Sequence, residues 1–184
     1  MSIIDEIIFT GKVLYKEGLV NSHAGNISVR DGNTIYITRT GAMLGYLTEN
    51  DIVKVPVYKA SEVDKIASSE LIVHRAVYQK TDYKAIIHAH PVNAVALSFK
   101  VGEKFVPVDN EGKLFLKEVP ILPEYPSASP ELAEAVSDFF SNNPHNIIII
   151  KTHGSFAVHN SLNYALKLTS DLEFCAKVFN LVSH

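Results

Sequence analysis

Ile147-Ile148-Ile149-Ile150-Lys151-Thr152-His153-Gly154-Ser155-Phe156-Ala157-Val158 is the stretch that decides the fold. Four consecutive β-branched residues favour extended backbone. A run with no polar interruption reads as a strand buried on both faces. Phe156–Val158 continues the sheet after the break at Lys151–Gly154.

Working outward, Ser161 to the C-terminus predicts one long helix, with Leu162, Ala165, Leu166, Thr169, Leu172, Phe174 and Val178 as candidate buried positions. Upstream, Ser129-Pro130-Glu131-Leu132 opens another helix, with Ser at the N-cap and Pro at the first helical position. Short strands are expected near 105–108, 114–116 and 119–122. Ala85–His90 reads as a strand, and Pro91 opens a helix to about Phe99. Residues 69–80 predict a helix whose inner face carries Leu71, Val73, His74, Val77 and Tyr78. Asp51–Val57 is a strand with Pro56 at its end or on an edge. Asn26–Val29 and Thr34–Thr38 are strands joined by the hairpin signal Asp31-Gly32-Asn33. Residues 2–18 form an amphipathic helix that stops at Gly18. Strands and helices interleave, yet neighbouring strands are hairpin-linked. The fold class expected is therefore α/β: a mixed or mostly antiparallel sheet flanked by helices, in one domain spanning 1–184. No G-x-G-x-x-G or G-x-x-x-x-G-K-[ST] follows a strand, which argues against a doubly wound nucleotide fold.

Composition narrows the function. A chain of 184 residues buries roughly 70% of its unfolded surface, so it needs no staple to hold a core. Seventeen basic against twenty acidic residues give −3, with no basic block, which argues against general nucleic-acid binding. One cysteine, Cys175, excludes an internal disulfide framework and fits a reducing cytoplasm. No apolar run approaches 18 residues, and MSIIDEIIFTGK lacks a basic n-region, so neither a spanning helix nor a signal peptide is expected. The excess is in histidine, of which there are eight.

Four groups of residues could carry chemistry. His88 and His90, at i and i+2 of a strand, project to one face and could grip one metal ion; alternatively they are two histidines bonded to backbone. His153 stands at the exit of the isoleucine strand, where Gly154 permits a tight backbone path; alone it would read as structural, but with the other two it completes a three-nitrogen set with an open position. Glu70, expected in the first turn of a helix, could be a general base or a fourth metal ligand, or else part of a simple cap with Ser68 or Ser69. His74 faces the same side one turn later and is given a supporting or core role. Lastly, the uncharged turns Ala24-Gly25-Asn26, Thr40-Gly41 and Ser68-Ser69 are either ordinary turns or sources of backbone N–H and hydroxyl donors for a phosphate.

Taken in order, HAGNISVRDGN, ITRTG, SSELIVHRAVYQ, IIHAHP and KTHG resemble the class II aldolase/adducin family, and most of all its L-fuculose-phosphate aldolase branch. The resemblance runs from about residue 18 to 175. It implies that His88, His90 and His153 are ligands of a divalent metal, most often zinc, one per subunit. Glu70 matches the acid/base carboxylate that can also touch the metal. Gly25, Asn26, Thr40, Gly41, Ser68 and Ser69 match positions that hold the substrate phosphate. The implied reaction of carbohydrate metabolism is cleavage of a ketose 1-phosphate, such as L-fuculose 1-phosphate, to dihydroxyacetone phosphate and an aldehyde. The ion is then the electron sink, with no Schiff-base lysine. The implied fold is a single α/β domain with a central, mostly antiparallel sheet, and the implied setting is a cytoplasmic homotetramer without nucleic-acid or membrane partners.

The same family includes ribulose-phosphate 4-epimerases, decarboxylases, a methylthioribulose-phosphate dehydratase and non-catalytic members. The metal histidines disfavour the non-catalytic reading, and Glu70, where epimerases usually carry Asp, favours the aldolase. Two departures concern the aldehyde side. Val108–Lys113 contains no tyrosine where bacterial aldolases of this branch carry a proton-donating one; Asp109, Glu111 and Tyr125 are the nearby alternatives, with a solvated turn as the plain reading of Asp109–Lys113. The sequence also ends at His184, within the expected helix, short of the tail that closes the site in longer relatives.

Overall fold

A computed structural model describes residues 1–183; His184 lies outside the described residues. The chain begins with α1 (Ile3–Lys16), β1 (Asn26–Asp31), β2 (Thr34–Thr38), β3 (Ile52–Pro56) and α2 (Leu71–Lys80). It continues through β4 (Ala85–Ala89), α3 (Val92–Ser98), β5 (Lys104–Phe105), α4 (Asn110–Phe115) and β6 (Val119–Leu122). It closes with α5 (Pro130–Asn142), β7 (Ile147–Ile150), β8 (Gly154–His159) and α6 (Leu162–Val182). Among the described residues the strands form an eight-stranded sheet in the order β3-β2-β1-β4-β8-β7-β6-β5. Every neighbouring pair is antiparallel except β6 and β7. This is the mostly antiparallel α/β sheet expected from the hairpin-linked strands.

The isoleucine run forms β7 and is buried throughout. Ile147 and Ile149 belong to the apolar layer shared with α1, α3 and α6. Ile148 and Ile150 belong to the opposite layer, shared with α2 and α5. Alternation across the pleat thus sends each isoleucine into a helix-covered face, which is why no polar residue interrupts the run. At roughly 1.5–3 kcal/mol per fully buried aliphatic side chain, this strand is a major anchor of both layers.

Helix starts follow their caps. Ser2 accepts from the Asp5 N–H and the Asp5 carboxylate reaches back to Ser2, a reciprocal capping box for α1. Ser129 accepts from the Leu132 N–H ahead of Pro130, as expected for α5.

Four local expectations are corrected. Residues 114–116 are not a strand, and Asp109–Lys113 is not a plain turn: Asp109 accepts from the Gly112 N–H at 2.7 Å and starts α4. The strand near 105 is only Lys104–Phe105, paired with β6. Phe174, counted among the buried positions of the last helix, is 59% exposed, and the buried stripe passes through Cys175 and Ala176 instead. Among the described residues no helix is long and apolar enough to cross a membrane.

Candidate metal centre

β4 lies between β1 and β8, where Asn26 pairs with His88 on one side and Phe156 pairs with it on the other. His88 is therefore held inside the sheet, 1% exposed, with its ring stacked on Phe156 at 4.2 Å between centroids. Its Nδ1 lies 3.0 Å from the Ser155 carbonyl oxygen. A carbonyl only accepts, so Nδ1 carries the proton and Nε2 presents its lone pair. His90 follows the strand end, with its backbone N–H donating to Leu19 O at 3.0 Å. His153 sits in the β7–β8 turn. The left-handed residue of that turn is Thr152 (φ 66°), not Gly154. Gly154 is required for another reason: a Cβ there would stand 2.3 Å from Ala89 O, so only glycine lets the turn close onto β4.

These three segments bring the imidazoles together. Ring centroids are 4.7 Å apart for His88 and His90, 4.8 Å for His88 and His153, and 5.1 Å for His90 and His153. One ligand nitrogen from each lies within 4.8 Å of the others. The Nε2 atoms of His88 and His90 are 2.9 Å apart, near the ~3.3 Å edge of a tetrahedral site with metal–nitrogen bonds of about 2.05 Å. Burial lowers the pKa of all three, with mutual repulsion adding to it at His88 and His90; His88 is well below the ordinary value and His90 is lowered to about 4. At neutral pH they are uncharged, the form in which imidazole ligates. The donor set fits a divalent ion of the zinc type, and a site with three protein nitrogens leaves a position open.

Glu70 stands at the mouth of α2. The helix proper begins at Leu71, slightly later than the spacing suggested, and the Glu70 side chain makes no cap bond to it. Neither Ser68 nor Ser69 caps α2 through its side chain: Ser68 Oγ accepts from the Glu70 N–H at 3.3 Å. The carboxyl turns inward instead, 5% exposed as a residue, with Oε1 accepting the Ala128 N–H at 3.0 Å and Oε2 without a partner. Burial raises its pKa and the Ala128 N–H partly offsets this. Ala128 is left-handed (φ 56°), which aims its N–H into the site.

The remaining expected residues surround the same cavity of about 240 Å³. Gly25, Asn26, Thr40 and Gly41 line one wall; Ser68, Ser69 and Glu70 line the next; His88, His90 and His153 close it. Gly25 (φ 81°) lies so close to His88 that a Cβ would meet its carbonyl oxygen at 2.8 Å. The Asn26 Oδ1 is buried and unpartnered. The Ser68 N–H donates to Thr38 O and the Thr40 N–H to Ile66 O, which fastens the two polar turns side by side.

A scan against known families matches "Class II Aldolase and Adducin N-terminal domain" over residues 5–179. The chain belongs to the class II aldolase and adducin family. It is 33% identical over 176 residues to a protein of Methanococcus maripaludis named L-fuculose phosphate aldolase, covering 95% of this chain and 94% of the relative. The crystal structure of L-fuculose-1-phosphate aldolase from Thermus thermophilus superposes with a TM-score of 0.90 at 35% identity, covering 97% of this chain and 93% of that one. A 5-methylthioribulose-1-phosphate/5-deoxyribulose-1-phosphate aldolase of Escherichia coli is 29% identical, over 97% of this chain and 84% of its own length.

Within this class II aldolase fold, the cavity holds residues that the sequence reading left unassigned. His23, Arg39 and Ser127 line it. Arg39 is held by Asp51 at 2.7 Å and adds a positive charge beside the neutral turns. Its position inside ITRTG was the available signal. Ala128 and Ser155, which act through backbone atoms, left no signal in their side chains. His74 is fully buried; its Nδ1 is 2.6 Å from Ser28 Oγ, which is 2.8 Å from the Tyr78 hydroxyl, so this trio ties α2 to β1. Asp109, Glu111 and Tyr125 are not among the residues that line the cavity. Asp109 is occupied as the α4 cap beside Cys175.

Proposed function

We propose that this protein is a divalent-metal-dependent sugar-phosphate aldolase, with zinc the ion its donor chemistry favours. It would cleave a ketose 1-phosphate to dihydroxyacetone phosphate and an aldehyde. The observation that carries this reading is the convergence of three neutral imidazoles on one point beside a buried carboxyl with a free oxygen. Relatives named for L-fuculose phosphate and for 5-methylthioribulose 1-phosphate support the substrate class. When bound, the ion would supply a Lewis acid that draws electron density from the substrate carbonyl and offsets the negative charge that cleavage develops.

The chain's own residues would do the rest. His88, His90 and His153 hold the ion. The phosphate lies against Gly25, Asn26, Thr40, Gly41, Ser68 and Ser69, with N–H and hydroxyl donors and the Arg39 charge nearby. Cleavage breaks the C3–C4 bond: the C4 hydroxyl gives up its proton to solvent water as C4 becomes the aldehyde carbon, and the electron pair of the broken bond passes to C3. Glu70 delivers a proton to C3 to complete dihydroxyacetone phosphate, and takes it back in the condensation direction. Burial raises its pKa, the direction in which a carboxyl holds a proton to deliver. A homotetramer in the cytoplasm is the setting we infer from the family resemblance.

Incubating the zinc-loaded protein with L-fuculose 1-phosphate and 5-deoxyribulose 1-phosphate, with coupled detection of dihydroxyacetone phosphate, tests the reading. Metal-dependent product is expected from at least one. Absence of product from both, with epimerisation of a ketose 5-phosphate, would overturn the aldolase in favour of an epimerase.

A further inference from the structure

The three histidines are not secured alike. His88 has its ring fixed by a hydrogen bond to Ser155 O. His153 has no such tether: its Nδ1 is buried without a partner, and its Nε2 has only Ser127 Oγ at 3.5 Å. Its position therefore depends on the backbone of the turn that presents it. That turn is held through Thr152, a non-glycine residue at φ 66°, a conformation that costs of order 1 kcal/mol or more and persists only where the surroundings enforce it.

The turn closes on itself through the His153 N–H, which donates to Ile150 O at 3.1 Å, and it is held from outside by Ser98, at the end of α3 and fully buried. Its Oγ–H donates to Val95 O at 2.7 Å, which directs a lone pair outward, and that oxygen accepts the Thr152 N–H at 3.1 Å. The other end of α3 follows His90 and Pro91 directly. There the Glu173 carboxylate of α6 accepts from the Asn93 N–H at 3.0 Å, the Asn93 side-chain amide at 2.8 Å and the Ala94 N–H at 3.1 Å. The Asn180 amide also donates to Asn93 O at 2.9 Å. The short helix is thus anchored where it leaves His90 and grips the turn of His153 where it ends.

We propose that Ser98 is a positioning residue for the metal centre, setting His153 relative to His90 through α3, with Glu173 anchoring that helix. The proposal rests on the metal reading above. Ion retention in the folded protein then depends on a hydroxyl that touches no ligand side chain.

Ser137 supplies a matched control. It is also a fully buried helical serine whose hydroxyl donates three residues back, to Glu134 O at 3.1 Å, but it lies in α5, away from the His153 turn. The experiment compares zinc transfer from loaded wild type, Ser98→Ala and Ser137→Ala to a chromogenic chelator, with amide hydrogen exchange at Thr152 in the metal-free proteins. Ser98→Ala is expected to release zinc about tenfold faster or more and to lose protection at Thr152, while Ser137→Ala matches wild type in both. Equal release from the two variants would overturn the proposal, because a general loss of packing affects both. If Ser98→Ala does not fold, wild type alone decides: the Thr152 amide must exchange about 100-fold slower than an open turn amide, and rapid exchange overturns the proposal. Failure of wild type to bind zinc or another divalent ion overturns the metal reading instead, and Thr152 exchange still reports on Ser98.

Discussion

The two walls of the cavity are built by different means. The wall we propose for the metal is made of side chains, delivered by core strands: His88 inside β4, His90 just after it, and His153 at the exit of the isoleucine strand β7. The wall we propose for the phosphate is shaped by polar turns, in which Gly25 and Gly41 take φ of 81° and 69°. One wall depends on what the residues are, the other on the conformation they allow. Substitutions should therefore divide. At the metal wall they remove chemistry; at the phosphate wall they alter shape, and the effect follows how close the backbone runs to something else.

The largest effect belongs to the centre of the metal wall. His88→Ala removes a nitrogen and leaves a hole beneath the Phe156 ring. Turnover should fall below detection, with loss of stoichiometric metal on elemental analysis of the folded protein. Metal retained at wild-type level would break the division. Next comes Glu70→Gln, which keeps the shape and the acceptor for the Ala128 N–H but cannot exchange a proton. We expect kcat to fall about 10²–10⁴-fold with metal content unchanged. An unaltered kcat would remove Glu70 from the chemistry.

The division also explains what could be read from sequence. The clustering of the three histidines was legible because strand periodicity fixes where alternate side chains point: His88 and His90 two apart, His153 after an unbroken apolar strand. The sheet was legible for the same reason, since Ile147–Ile150 could be satisfied only by helices on both faces. The phosphate residues came from the family resemblance, because small polar turns have no distinctive pattern of their own. Contacts made through backbone atoms were invisible: the Ala128 N–H on Glu70, the Ser155 carbonyl on His88 and the Thr152 N–H on Ser98 could be supplied by almost any residue. The helix α4 was missed because a six-residue segment shows too little periodicity to outweigh the strand-like Leu114-Phe115-Leu116 run, and the Asp109 cap was read as part of a turn.

A third test lies behind both walls, at His74, which joins α2 to β1. Burial lowers its pKa to about 3. In the unfolded chain it titrates near 6.5, so between those values the unfolded state binds the extra proton. Stability is then complete above about pH 6.5 and is lost as the pH falls towards 3, by a few kcal/mol from this residue if the shift is fully expressed. Urea titrations of the metal-free protein from pH 7 to 4 should show this slope, and His74→Gln should reduce it. An unchanged slope would place the acid sensitivity in groups other than His74.

The smallest effects discriminate most finely, because they compare two glycines of one wall. Both need left-handed backbone, so alanine at either costs roughly 1–2 kcal/mol in conformation. Gly25 carries a further constraint: an added Cβ would lie 2.7 Å from Val20 and 2.8 Å from His88 O, whereas at Gly41 nothing lies within 4 Å. Gly25→Ala should therefore lose more stability than Gly41→Ala and should weaken metal binding as well, since the displaced backbone is that of a ligand. Gly41→Ala should leave metal content intact and raise KM for the phosphorylated substrate. Thermal unfolding with and without zinc, set beside KM for each variant, measures the difference. If both variants lost metal equally, the two walls would form one mechanical unit. If only Gly25→Ala did so, the walls would be coupled where the Gly25 turn rests on β4, and the phosphate wall could vary with the substrate while the metal wall stayed fixed.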